Sequence, residues 1–269
     1  MRFKLTLHID RSRGDKLPFN YQHEQSAVIY HILSQADESY ATWLHDNGYQ
    51  TDTGKRFKHF AYSRFSFGGY AIDKVSKCLV ILSDWASWSI SFLPEKSTQK
   101  FIQGLFANQH FIIGDKYHKV AFDIVGVEAL PAIALAPEMS FRATSPVCVK
   151  EHVDNKIRYM SPGDANYGGA ILKGLLSRYQ TLTGTPFTGD ISDFRFTLSG
   201  DKIKSALVTF KEGTPQQTFV KGYLYSFKMA GPEELLRLAA EGGIGEQCSQ
   251  GFGYIEINTQ DLIRNNKDK

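Results

Sequence analysis

Three cysteines, Cys78, Cys148 and Cys248, are all that this chain of 269 residues contains. They are odd in number, scattered and without metal-type spacing, so neither a disulfide framework nor a thiolate zinc site is expected. No Cys/His/Asp cluster and no Asp-rich pattern points to a bound metal, and no cofactor is expected. The Gly-Lys-Ser/Thr of a Walker site is missing, which argues against a nucleotide P-loop. No apolar run approaches membrane-spanning length, so no membrane association is expected. Met1 leads directly into the alternating pattern Arg2-Phe3-Lys4-Leu5-Thr6-Leu7 without signal-peptide features. With reduced cysteines, this makes the cytoplasm the expected compartment. Strong charge of one sign is lacking too. A net charge of +3 and a pI near 8.6 permit a nucleic-acid partner without demanding one.

What the chain does have is core. It is 42% hydrophobic and 13% aromatic, enough for two modest domains. Arg2 to Ile9 reads as a strand. Gln25 to Ser34 reads as a helix with Val28, Ile29, Ile32 and Leu33 on one face, and Glu38 to Asp46 as a second, short helix. Phe60 to Phe67, Cys78 to Leu82 and Trp88 to Phe92 read as extended. Pro94 opens a helix with Phe101, Ile102, Leu105 and Phe106 at helical spacing, and Phe111 to Ile113 and Tyr117 to Val127 follow as strands. Residues 128–137, low in charge and with two prolines, read as a linker. After it the order repeats. Met139 to Lys150 and Lys156 to Met160 are extended, and Asp164 to Leu182 is a helix packing Ile171, Leu172, Leu175, Leu176 and Tyr179. Phe194 to Leu198, Ala206 to Phe210 and Thr218 to Met229 are strands. A helix from Pro232 to Glu241 and a strand from Tyr254 to Ile257 close the set. The expected fold is therefore α+β, two tandem ferredoxin-like (RRM-like, βαββαβ) domains. They span 1–127 and 138–257, with a frayed tail over 258–269.

Between the last helix and the last strand stands Gly243-Ile244-Gly245, a polar tip from Glu246 to Gln250, then Gly251-Phe252-Gly253. Glycine lets another backbone or a phosphate come close, and exposed N–H groups in such a loop suit phosphate. The order helix-loop-strand is the reverse of a P-loop. A flexible turn capped by Gly242 or Gly243 is the plainer alternative.

This paired Gly-hydrophobic-Gly loop resembles that of the CRISPR repeat-processing endoribonucleases, Cas family six of the RAMP superfamily. Further matches are Ala27-Val28-Ile29-Tyr30, Ala41-Thr42-Trp43-Leu44-His45, Phe60-Ala61-Tyr62-Ser63 and Thr144-Ser145-Pro146-Val147, and the resemblance spans about residues 1 to 257. It implies a metal-independent endoribonuclease that cuts precursor CRISPR RNA within its repeats. The RNA's own 2′-OH attacks, leaving a 2′,3′-cyclic phosphate and a 5′-OH. By family position, Tyr30, His45 and Lys58 form the implied catalytic set, with His45 moving protons, Lys58 stabilising the phosphorane and Tyr30 orienting the 2′-OH. Lys55 or Arg56 are alternatives to Lys58, and His31 to Tyr30. His8, His23, His59, His110, His118 and His152 read as structural or surface residues. Gly243, Gly245, Gly251 and Gly253, with Arg195, Lys221 and Lys228, are the candidate RNA contacts. The implied partners are CRISPR repeat RNA, as precursor and as mature guide, and other subunits of a CRISPR effector complex. A non-cleaving RAMP-type guide-RNA-binding protein is the main alternative, and a tandem ferredoxin-like protein unconnected with RNA a more remote one. One departure stands out. Family loops usually carry Lys or Arg in the tip, whereas Glu246-Gln247-Cys248-Ser249-Gln250 has neither, leaving backbone donation or a structural role.

Overall fold

The computed structural model describes residues 1–154 and 156–258. The expected tail from 259 on lies outside them. The chain begins with a long strand β1 (Arg2–Pro18) and two helices, α1 (Gln22–Ala36) and α2 (Glu38–Asp46). Three short strands follow: β2 (Tyr49–Gln50), β3 (Arg56–Phe57) and β4 (Phe60–Tyr62). Next come β5 (Ser66–Phe67), β6 (Tyr70–Asp73), β7 (Cys78–Ile81), β8 (Trp85–Phe92), α3 (Glu95–Ala107), β9 (His110–Gly114) and β10 (Lys119–Ala129). Strand β10 runs into the expected linker. The second half holds β11 (Glu138–Ala143), β12 (Lys150–Val153), β13 (Lys156–Tyr159), α4 (Tyr167–Thr183), β14 (Arg195–Leu198), β15 (Lys204–Phe210), β16 (Thr218–Leu224), β17 (Ser226–Ala230), α5 (Glu233–Gly242) and β18 (Ile255–Ile257).

These elements form two units, Met1–Gly48 with Ser63–Pro131, and Tyr49–Tyr62 with Ala132 onward. The segment Tyr49–Tyr62, which sequence order alone puts in a domain 1–127, goes with the second unit. The reason is packing: Ala61 shares a buried cluster with Cys248 and Tyr254.

In the first unit the antiparallel order is β8-β1-β10-β9. Period-2 alternation in β1 buries Phe3, Leu5, Leu7 and Ile9 and leaves Lys4 and Thr6 exposed. Helix α3 is turned differently from expectation. Its buried stripe is Ser97, Thr98, Phe101, Gly104 and Leu105. Phe106, one residue further and so about 100° round the helix, is 81% exposed.

In the second unit the order is β14-β17-β11-β18, all antiparallel. Taken with α4 after β11 and α5 after β17, this is the ferredoxin-like arrangement expected, with the hairpins β12–β13 and β15–β16 inserted. The expected strand Thr218 to Met229 is two strands. It breaks at Tyr225, whose buried hydroxyl meets that of Tyr167 at 2.9 Å, so that β16 pairs with β15 and β17 joins the larger sheet. Helix α4 buries Tyr167, Ile171, Leu175 and Arg178, while Leu172, Leu176 and Tyr179 are only half-buried. Among the described residues no helix is long and apolar enough to cross a membrane.

Candidate functional site

In the first unit, α2 starts at Asp37, whose carboxylate accepts the N–H of Tyr40 at 2.9 Å. Burial of Tyr40, Ala41 and Leu44 decides which side of α2 faces inward, while the neighbouring Trp43 is exposed. His45 therefore turns outward, with its side chain 67% exposed. Its ring meets that of Tyr30 on α1 edge to face, centroids 5.0 Å apart. Its Nδ1 lies 2.8 Å from Asp46 Oδ1. An ionised carboxylate only accepts, so this contact puts the neutral imidazole proton on Nδ1 and the lone pair on Nε2. Burial, and secondarily Tyr40 and Asp46, push the Tyr30 phenol up from its ordinary value. Tyr30 stays protonated at neutral pH and can donate or orient, but does not serve as a base. A pocket of about 280 Å³ is lined by Tyr30, His31, Ser34, Thr42, His45 and Asp46. His31 thus shares the pocket, but the ring contact with His45 belongs to Tyr30.

Lys58 lies in the second unit, with Lys55 and Arg56. All three line a pocket of about 300 Å³ there, together with Lys150, Arg178 and the loop residues 245–250. The glycine loop itself is closed at its neck. Ile244 N–H donates to Gly253 O at 2.9 Å, Glu246 N–H to Cys148 O at 2.7 Å and Gly253 N–H to Pro146 O at 2.8 Å. Ile244 and Phe252 are fully buried. A Cβ on Gly253 would overlap the carbonyl oxygen of Ile244, and one on Gly245 that of Cys148, and both residues have positive φ. Gly243 caps α5 with φ 76°. Both the buried hydrophobics and the glycines that flank them are thus explained by packing, and part of the loop's N–H complement is already committed to carbonyls.

The three candidate cations do not share one surface element. Phe227 and Met229 are buried, so Lys228 lies on the open face of the four-stranded sheet, where it pairs with Glu138 at 3.4 Å. Phe196 stacks on Phe227, which puts Arg195 on that same face, 3.8 Å from Asp193. Lys221 instead stands on the β15–β16 hairpin with its ammonium 5.3 Å from the Tyr223 ring centroid.

Sequence reasoning missed Arg178. It is 3% exposed and its guanidinium donates to Gly242 O, to Gly245 O at 3.1 Å and to Cys248 Sγ at 3.2 Å. The carbon of the guanidinium lies 5.5 Å from the Phe57 ring centroid. The signal was present: Arg178 continues the Ile171/Leu175 stripe of α4, where a charge is out of place.

His59, expected to be structural or at the surface, is buried. It is 2% exposed, adopts φ 55°, and shares a 3.1 Å hydrogen bond between Nε2 and Thr181 Oγ1. Burial, helped by the charge of Arg178, pulls its pKa down to about 3. The unfolded chain binds a proton near pH 6.5 that the folded one refuses, so stability falls as pH drops below 6.5 toward 3. The slope is about 1.4 kcal/mol per pH unit from this residue. Thermal denaturation should show a smaller loss of Tm between pH 6.5 and 4.5 in His59→Asn, a residue that tolerates positive φ. Equal acid sensitivity in both proteins would refute the assignment.

Residues 131–257 match the family described as CRISPR associated protein Cas6, C-terminal. A "Putative CRISPR-associated endoribonuclease-like protein Cas6nc" of Pyrococcus horikoshii is 26% identical over 247 residues, covering 90% of this chain and 93% of that protein. The "CRISPR-associated endoribonuclease Cas6 1" of Methanocaldococcus jannaschii is 23% identical, over 99% and 96%. Among solved structures, one described as "Characterization of a Cas6-related gene from Pyrococcus furiosus" superposes with TM-score 0.79 at 23% identity, over 96% of this chain and 98% of that one. Another, "An RAMP protein binding different RNA substrates", superposes with TM-score 0.78 at 24% identity, over 96% and 99%. Residues 131–257 thus match the Cas6 C-terminal family, and along nearly its whole length the chain is similar to proteins named Cas6.

Proposed function

We propose that this protein is a metal-independent endoribonuclease that cleaves precursor CRISPR RNA within its repeats to generate guide RNAs. The observation that carries this reading is the Tyr30–His45–Asp46 arrangement, an exposed imidazole whose Nδ1 is held by a carboxylate and whose ring abuts a phenol that keeps its proton. In this mechanism His45 Nε2 takes the proton of the 2′-OH. The 2′-oxygen bonds to the adjacent phosphorus, the bond to the 5′-oxygen breaks, and that oxygen leaves with a proton returned from the site. The Tyr30 hydroxyl orients the nucleophile. A cation, assigned to Lys58 with Lys55 and Arg56 as alternatives, offsets charge on the pentacoordinate phosphorus. The relatives' names as endoribonucleases support the reaction class. Gly243, Gly245, Gly251 and Gly253 shape the loop, and Arg195, Lys221 and Lys228 would contribute contacts to the RNA backbone. Partners on this reading are precursor repeat RNA, the mature guide and other effector-complex subunits, in the cytoplasm.

Binding should rest on phosphate contacts, which release counterions. Affinity for cognate repeat RNA is expected to fall steeply between 50 and 200 mM salt, by about tenfold or more for each few phosphates neutralised. Fluorescence anisotropy across that range checks it, and a flat response would contradict a protein that tracks the RNA backbone. Tight, salt-sensitive binding with no cutting would leave the guide-holding alternative instead.

A further inference from the structure

The acidic tip of the glycine loop has a defined place in the second unit. Glu246 is fixed by its backbone, since its N–H donates to Cys148 O. Its carboxylate reaches across to Lys55 Nζ at 3.4 Å and to Lys150 Nζ at 4.0 Å. Those three residues and Gly245 line both the pocket that contains Lys58 and Arg178 and a second one of about 780 Å³ that continues along α4 past Lys173. The Glu246 side chain therefore stands where the two pockets adjoin.

Cations outnumber carboxylates in the lining around it. The first pocket gathers Lys55, Arg56, Lys58, Lys150 and Arg178 against Glu246 as the one acidic residue of its lining. Arg178 is the most telling of these. It is buried, its Nε has no hydrogen-bond partner, and no carboxylate lies within ion-pair reach of it among the described residues. A buried charge held by carbonyls, a thiol and the Phe57 ring, without a carboxylate, is costly unless an anion is at hand. Glu246 supplies one negative charge to this surplus, through pairs that are partly exposed and hence weak. Rotation of one side chain, with the loop backbone kept in place, would open the passage.

We infer that the Glu246 carboxylate is an internal stand-in for an RNA phosphate: it occupies the cationic groove between Lys55 and Lys150 until a strand enters and displaces it. This deepens the RNA-processing reading and rests on it for the identity of the ligand. The absence of Lys or Arg from the loop tip then has a function. An acidic tip shields the groove against stray anions, and only a polyanion that engages several of its cations at once displaces the carboxylate.

The test uses the full chain, with anisotropy of a fluorescein-labelled oligouridylate and thermal shift with sodium pyrophosphate as two probes. Glu246→Gln is expected to bind the oligouridylate about three- to tenfold more tightly at low salt, the size of one removed, partly screened repulsion. Its salt slope should steepen by up to about one. Lys150→Gln should weaken binding and lower the slope by about one. In the double variant the gain from Glu246→Gln should shrink, because the competition runs through Lys150. If the carboxylate were only a latch that shapes the loop, Glu246→Gln would lower Tm and bind no tighter than wild type. Either unchanged or weaker RNA binding by Glu246→Gln overturns the inference while wild-type RNA binding leaves the broader function standing. Should wild type and variant both ignore RNA while Glu246→Gln gains a larger pyrophosphate shift, the anion groove stands and the RNA reading is what falls.

Discussion

Single-turnover cleavage of cognate repeat RNA by His45→Ala is expected to be slower than wild type by about 10²–10⁴, the range for loss of a positioned acid or base. The expectation follows from geometry in the first unit. The His45 imidazole is presented to solvent, and its contact with Asp46 at Nδ1 puts the lone pair of the neutral ring on Nε2. RNA affinity should change little, because one neutral imidazole adds little to phosphate binding. Asp46→Asn gives an intermediate check. It keeps the shape but removes the ionised acceptor for Nδ1–H, and should cost less than loss of the imidazole itself. Tyr30→Phe separates the hydroxyl from the ring. A rate loss implicates the phenol, whereas an unchanged rate leaves Tyr30 as packing against His45 and moves attention to His31, which lines the same pocket. Cleavage by His45→Ala at the wild-type rate would remove His45 from the mechanism.

How far the sequence could lead to this site depends on which forces act locally. Period-2 alternation in β1 and the stripe of α1 are local consequences of burial on one face, so the longer elements could be read in order, whereas the short strands β2, β3 and β6 were not read. The loop glycines were legible for a related reason. Gly245 and Gly253 take backbone angles and close approaches that no side chain permits, so glycine had to be written there whatever the ligand. What could not be read was set by long-range packing. Helix α3 turns Phe106 to solvent although its spacing fits an apolar stripe, because Gly104 and Leu105 face inward instead. The break at Tyr225 arises from a hydroxyl pair with Tyr167, some sixty residues away in sequence. Arg178 is the same kind of case. Its place on the Ile171/Leu175 stripe signals burial, but its partners are distant in sequence: the side chain lies beneath the loop and donates to the carbonyls of Gly242 and Gly245. The attachment of Tyr49–Tyr62 to the second unit likewise depends on Ala61 meeting Cys248 and Tyr254. The catalytic set assigned by resemblance is affected by this. Tyr30 and His45 stand in contact within one unit, whereas Lys58 belongs to the other, so the identity of the stabilising cation rests on kinetics of Lys55, Arg56 and Lys58 variants rather than on order in the chain.

Replacing the single scissile nucleotide of the repeat RNA by its 2′-deoxy form should abolish cleavage outright while leaving affinity nearly intact. The reason is chemical. In the proposed reaction the nucleophile is the substrate's own 2′-oxygen, so removing it leaves nothing to attack the phosphorus, whereas the phosphates that dominate binding are unchanged. The same mechanism sets two further readouts on the unmodified RNA. Cleavage should proceed at an undiminished single-turnover rate in excess EDTA, because proton transfer is assigned to His45 and charge stabilisation to a side-chain cation. The 5′ product should end in a 2′,3′-cyclic phosphate and the 3′ product should begin with a 5′-hydroxyl, since the new bond is formed within the ribose and the 5′-oxygen departs. A hydrolytic enzyme that activates water would instead cut the 2′-deoxy substrate and leave an open phosphate. Cleavage of the 2′-deoxy RNA at a rate comparable to the unmodified strand would therefore rule out internal attack, whatever the effect of EDTA, and with it the roles given to Tyr30 and His45.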